Sequence, residues 1–85
     1  MTVRSRLKLL IAERNLERIK HGLPEITLRQ IAAESQLPLS TVSGLTSGRA
    51  GRVDFRTLDK LCRYFNVQPG ELLEYVPVAK LESDP

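Results

Sequence analysis

The sequence predicts a single all-α domain of five helices, and three observations carry that reading. Apolar residues recur at three- and four-residue spacing along most of the chain, without the sustained alternation of a half-buried strand. Capping residues or a proline precede most of the apolar runs, and glycine, asparagine or proline follows them. Eighty-five residues supply one modest core and no second domain.

The first helix is expected to start near Ser5, with Leu7, Leu10 and Ile11 at i, i+3 and i+4. Leu16 and Ile19 continue that stripe with a small phase slip, and Gly22 and Pro24 end it. Thr27 is an N-cap for the second helix, and Gln30 three residues on completes a capping-box pattern. This helix runs from Leu28 to about Ser35, with Leu28, Ile31 and Ala32 on one face. Pro38 forces Leu37 into extended geometry and opens a third short helix, whose inner side carries Val42 and Leu45. Ser47-Gly48 closes it. Asp54 caps a fourth helix with the stripe Phe55, Leu58, Leu61, Cys62 and Phe65, and Asn66 suits its left-handed end. Pro69 at a first helical position and Glu71 in the first turn mark a short fifth helix. Tyr75-Val76 can extend as a strand against Val3-Arg4. The domain is placed at residues 1–77, with 78–85 expected to be a disordered tail.

Charge is distributed unevenly. Residues 1–63 hold twelve Lys/Arg against six Asp/Glu, a net +6, whereas 64–85 hold one lysine against four acids, a net −3. A polyanion would bind the basic part, and the acidic end would avoid it. The lone Cys62 excludes an internal disulfide and a cysteine-based zinc site, and a single histidine, His21, leaves no metal expected. No apolar run is long enough to span a membrane, and Lys8 breaks the Leu7–Ala12 stretch that a signal peptide would need. A cytoplasmic location is therefore expected. No cofactor and no enzymatic activity are expected either: there is no Ser-His-acid set, no phosphate loop and no carboxylate pair in a plausible pocket.

The segment Thr27-Leu-Arg-Gln-Ile-Ala-Ala-Glu-Ser-Gln-Leu-Pro-Leu-Ser-Thr-Val-Ser-Gly-Leu-Thr-Ser-Gly-Arg49 carries the functional reading. Two short helices joined by a tight turn cross steeply and need a small residue where they touch. Ala32 supplies it, with Ile31, Leu37, Val42 and Leu45 as the wedge between them. Leu39, Ser40, Ser43 and Gly44 are then left on the outer face of the third helix.

This segment resembles the helix-turn-helix of the Cro and phage-repressor (XRE-like) family, matching at Thr27, Ile31-Ala32, Ser40-Thr41-Val42-Ser43, Leu45 and Gly48-Arg49. The likeness continues through Asp54–Pro77 and covers about residues 5–77. It implies a five-helix lambda-repressor-like domain, with the helix-turn-helix at residues 27–47. It also implies double-stranded DNA binding by a transcriptional regulator, a repressor, with the third helix in the major groove. Four departures stand out. Gln36 occupies the turn position where the family has glycine, and Leu28 stands where glutamine often reaches DNA. The outer face of the third helix lacks long polar side chains, and the link from Asn15 to Ile26 is longer than usual.

Arg49 and Arg52, in the glycine-flanked turn after the third helix, are expected to contact phosphates rather than form a merely solvated loop, assisted by backbone amides ahead of the fourth helix. Arg29 is a weaker phosphate candidate, because a cation in the first turn opposes the helix dipole. Ser40 and Thr41 serve either as base or phosphate partners or as ordinary helix-start caps. Ser47 belongs to the same expected DNA surface. Arg4, Arg6 and Lys8 form either a basic arm or an exposed helix start. Cys62 is expected in the core. A homodimer on DNA is expected through Tyr64, Leu72, Leu73, Tyr75 and Val76, an apolar cluster larger than a small monomer needs to expose. The alternative is an antitoxin-type adaptor that binds its own operator and a partner protein; residues 78–85 are a short tail for that role.

Overall fold

Local capping chemistry sets most element boundaries in the computed structural model, which describes residues 2–77. A strand β1 (Thr2–Ser5) is followed by α1 (Leu7–Lys20), α2 (Leu28–Ser35), α3 (Leu39–Ser47), α4 (Phe55–Phe65), α5 (Pro69–Leu72) and a strand β2 (Leu73–Val76). The expected tail, 78–85, lies outside the described residues.

Thr27 Oγ1 accepts the Gln30 amide at 3.1 Å and Asp54 Oδ1 accepts the Thr57 amide at 2.7 Å, so α2 and α4 start where their caps dictate. The reciprocal half of the Thr27 box is missing, because the Gln30 side chain turns along the helix and donates to Glu34 at 3.0 Å. At the other ends Gln36 (φ 60°) and Asn66 (φ 56°) adopt the left-handed conformation. The first helix starts at Leu7 rather than Ser5, because Arg4 and Ser5 are engaged with β2. The Ser5 hydroxyl accepts the Leu7 amide at 3.1 Å.

The strand expected at Tyr75-Val76 forms in the anticipated place and is longer. β1 and β2 pair antiparallel with Thr2 opposite Val76, Val3 opposite Tyr75, Arg4 opposite Glu74 and Ser5 opposite Leu73. Arg4 and Arg6 both reach the Glu74 carboxylate across this ribbon, which favours a structural role for them over a free basic arm.

Leu7, Ile26, Ile31, Ala32, Val42, Leu45, Leu61, Phe65 and Leu72 form the core. The long link between α1 and α2 is stapled down by Asn15, whose Oδ1 accepts the Ile26 amide at 2.7 Å, and by Arg18, which donates to the Pro24 carbonyl at 2.7 Å. The insertion thereby delivers Ile26 to the core.

Three expectations about burial fail. Leu16 and Ile19 are exposed rather than part of the core stripe, because the phase slip carries them to the far side of α1. Phe55, at the first position of α4, is 89% exposed and stands outside the stripe that Leu61 and Phe65 bury. Leu72 and Val76 are buried within this chain, so they cannot line a dimer surface as expected. Leu73 is half-buried, and Tyr75 is exposed.

Tyr64 is half-buried and already employed: its hydroxyl donates to Glu34 Oε1 at 2.7 Å, tying α4 to α2. Burial, followed by the bond to Glu34, pushes the Tyr64 phenol up to about 12. A phenol raised in the folded state stabilises that state below the unfolded value near 10, and this contribution is lost as pH rises from 10 towards 12. Ultraviolet titration should show a tyrosinate appearing near pH 12 that is missing from Tyr64→Phe. A spectrum in which every tyrosine ionises by pH 11 would contradict the contact.

Candidate nucleic-acid interface

The turn between α2 and α3 sets the geometry of the outer helix. Gln36 takes the left-handed conformation that glycine adopts more cheaply, and the surroundings hold it there. The Leu37 amide donates to the Ala32 carbonyl at 2.9 Å, and Lys60 Nζ donates to the Gln36 carbonyl at 2.9 Å. Pro38 then starts α3 without a side-chain cap. Ala32 is buried beside Ile31, as the tight α2–α3 contact requires.

Val42 and Leu45 face the core, leaving Ser40 and Ser47 exposed on the opposite side of α3 and Thr41, Ser43 and Gly44 half-buried at its margins. Among the described residues, the hydroxyls of Ser40, Thr41 and Ser43 make no hydrogen bond, so the capping role that competed for Ser40 and Thr41 is not in use. Thr46 differs: its hydroxyl donates back to the Val42 carbonyl at 2.7 Å. Leu39 is partly exposed beside the helix start.

After α3 the chain folds back over the end of the helix. Gly48 (φ 81°) turns it, and the amides of Arg49 and Ala50 both donate to the Gly44 carbonyl, at 3.0 and 3.1 Å. Ser47 Oγ donates to the same carbonyl at 3.3 Å. The base of the arginine-bearing loop is thus fixed to the helix it follows. Gly44 sits at the seam: a Cβ there would lie 3.8 Å from the Ala50 Cβ, an ordinary contact.

This arrangement brings Ser40, Thr41, Gly44, Arg49 and Arg52 together around one open groove of about 700 Å³. Ser47 lies on an adjoining groove that also contains Gly44, Arg52 and Lys8. Arg29, Leu39 and Ser43 line neither groove. The guanidinium groups of Arg49, Arg52 and Arg29 form no ion pair or hydrogen bond among the described residues, whereas Arg14, Arg18, Lys60 and Arg63 are engaged inside the chain. Arg56, exposed in the first turn of α4 close to this loop, was not singled out from the sequence. Only its place after a cap could have indicated it. Backbone amides ahead of α4 assist less than expected: the Asp54 carboxylate already occupies the helix start, and its bonds to Thr57 hold it in the charged form, below its ordinary range. Cys62 is half-buried on the inner side of α4, and burial pushes its thiol up, as for an inert packed cysteine.

Two short helices crossing at a small residue, with an outward hydroxyl-bearing face and arginines beside it, define a helix-turn-helix. A family model for the Cro/C1-type HTH DNA-binding domain matches residues 6–78, and the chain belongs to that family. It is a DNA-binding regulator with a lambda-repressor-like fold of five helices, to which a two-stranded ribbon is added. No curated protein and no solved structure matches the chain. Among the described residues, no helix is long and apolar enough to cross a membrane.

Proposed function

We propose that the chain binds specific double-stranded DNA sites as a transcriptional repressor, with α3 in the major groove. The observation that carries this reading is the one groove in which the Ser40 and Thr41 hydroxyls meet Arg49 and Arg52, all four without a side-chain partner among the described residues. Hydroxyls there reach base edges or phosphates, and the two arginines hold the backbone register. Arg29 gives a further phosphate contact from the start of α2. Leu39 meets a thymine methyl, while Ser43, Gly44 and Ser47 allow close approach of the helix to the groove wall. Two copies read the two halves of an inverted repeat, as repressors of this architecture require for operator spacing of about one helical turn.

Selection from a random duplex pool tests the reading. An enriched inverted repeat with half-sites about 34–36 Å apart is the expected result. A pool that stays random after repeated rounds, while bulk DNA is still retained, would remove sequence specificity and with it the repressor role.

Short hydroxyl side chains fix no base strongly, so specificity is spread over several weak contacts and over DNA shape. Ser40→Ala should therefore cost less than the ~1–3 kcal/mol of a bidentate base contact. Competition binding against scrambled DNA measures this. Complete loss of discrimination in that variant would mean that one serine carries the readout.

A further inference from the structure

We propose that Asp54 is a specificity-determining residue of the DNA surface, repelling backbone phosphates from one wall of the groove so that docking in non-cognate registers is penalised; this role rests on the DNA docking proposed above. Asp54 and Thr57 form the α4 wall of the groove that also holds Ser40, Thr41, Arg49 and Arg52. Among the described residues, Asp54 is the one acid bordering this groove, and Glu74 is the one acid bordering the adjoining groove.

The two acids differ in what surrounds them. Arg4 and Arg6 both reach the Glu74 carboxylate, which offsets its charge. The Asp54 carboxylate has no ion-pair partner among the described residues, although Arg49 and Arg52 border the same groove. One of its oxygens accepts the Thr57 amide at 2.7 Å, which fixes the charge on the helix start. Its bonds to Thr57, and after them the charges of Arg56 and Lys60, keep it ionised. An acid held in this way cannot swing aside from an approaching duplex.

Phosphates follow every duplex at the same spacing, so an acid in the groove opposes binding to any sequence. Its effect on discrimination comes from register. The hydroxyls of Ser40 and Thr41 hold a duplex in one register only where the base edges suit them. Selection enriches sites whose register keeps phosphates on Arg49 and Arg52 and away from Asp54, because a register that brings one to the carboxylate is weaker. Scrambled DNA has no preferred register, and its binding averages over those in which a phosphate meets Asp54. Like charges set together therefore suppress the wrong partner more than the right one. A phosphate within a screening length of the carboxylate, about 8 Å at physiological salt, lowers affinity roughly threefold, and one or two per register give about fivefold.

Binding of the full chain to the selected site and to scrambled duplex, measured side by side, tests this role. Asp54→Asn and Asp54→Ser both keep an oxygen for the Thr57 amide and cap a helix about as well as aspartate, so α4 should start in the same place. Each should tighten binding to scrambled DNA about fivefold and to the selected site less than about twofold, so that discrimination falls about threefold. Glu25→Gln removes the same charge from an exposed position that borders neither groove, and should leave the ratio of the two affinities unchanged. Equal tightening on both duplexes, or a ratio moved as far by Glu25→Gln, would make Asp54 an ordinary surface charge and overturn the role. Loss of selected-site binding in both Asp54 variants, with circular dichroism unchanged, would make it a base-reading acceptor and overturn the role as well. A wild-type chain that enriches no site removes the repressor reading and this role with it, whereas an enriched site with an unmoved ratio removes this role alone.

Discussion

Replacing both Arg49 and Arg52 by alanine should weaken binding to every DNA sequence alike and flatten its salt dependence. Each phosphate neutralised by an arginine releases condensed counterions and contributes about −0.9 to the slope of log K against log salt concentration. Losing two contacts should therefore reduce that slope by close to two units, and each single variant by about one. The structure favours equal contributions. Both side chains border the same groove, neither guanidinium is engaged elsewhere among the described residues, and the Arg49 amide is anchored on the Gly44 carbonyl. Titrations at several salt concentrations, on the selected site and on scrambled DNA, measure the effect. If affinity for the selected site fell while the scrambled duplex and both slopes held, the arginines would be reading bases rather than positioning the backbone.

Much of this domain was legible because its boundaries are decided within a few residues. Thr27 and Asp54 cap, Asn66 and Gln36 turn left-handed, and Pro38 stops one helix and starts the next, each by chemistry contained in its own turn. The helix-turn-helix register followed from the same local signals. Faces were harder. A helix advances about 100° per residue, so the nine residues from Leu7 to Leu16 amount to about two and a half turns and place Leu16 opposite Leu7. A spacing pattern with one slip reads as a single stripe until a partner fixes its phase, so Leu16 and Ile19 read as a continuation of the stripe that Leu7 starts. Phe55 was misplaced for a related reason: the first residue of a helix has neighbours on one side only. Leu72 and Val76 went unrecognised as core because their burial depends on contacts with residues some seventy positions away. The Arg6 amide donates to the Leu72 carbonyl at 2.7 Å, and Thr2 stands opposite Val76. At the candidate interface the residue types were readable, but their sharing of one groove depends on how the loop folds back onto Gly44.

Ala32→Leu should destabilise the domain by about 1–3 kcal/mol, the usual result of forcing extra methylenes into a packed site. Ala32 is buried on α2 beside the fully buried Ile31, and α2 packs tightly against α3, where Val42 and Leu45 fill the facing side. Its carbonyl also accepts the Leu37 amide that closes the turn, so the backbone cannot move aside without breaking that bond. Lys60 pins the Gln36 carbonyl, at the turn itself, from α4, which further limits relaxation of the turn. In a domain of this size each kcal/mol shifts the melting temperature by roughly 4–8 °C, so thermal denaturation should resolve the change easily. The DNA surface should suffer beyond the loss of stability, because widening the crossing tilts α3 and the loop anchored on it. Binding measured well below the melting transition should thus fall for the selected site more than for scrambled DNA, since base contacts depend on the angle of α3 more than phosphate contacts do. An unchanged melting temperature would place Ala32 away from the crossing and shift the whole helix-turn-helix register with it.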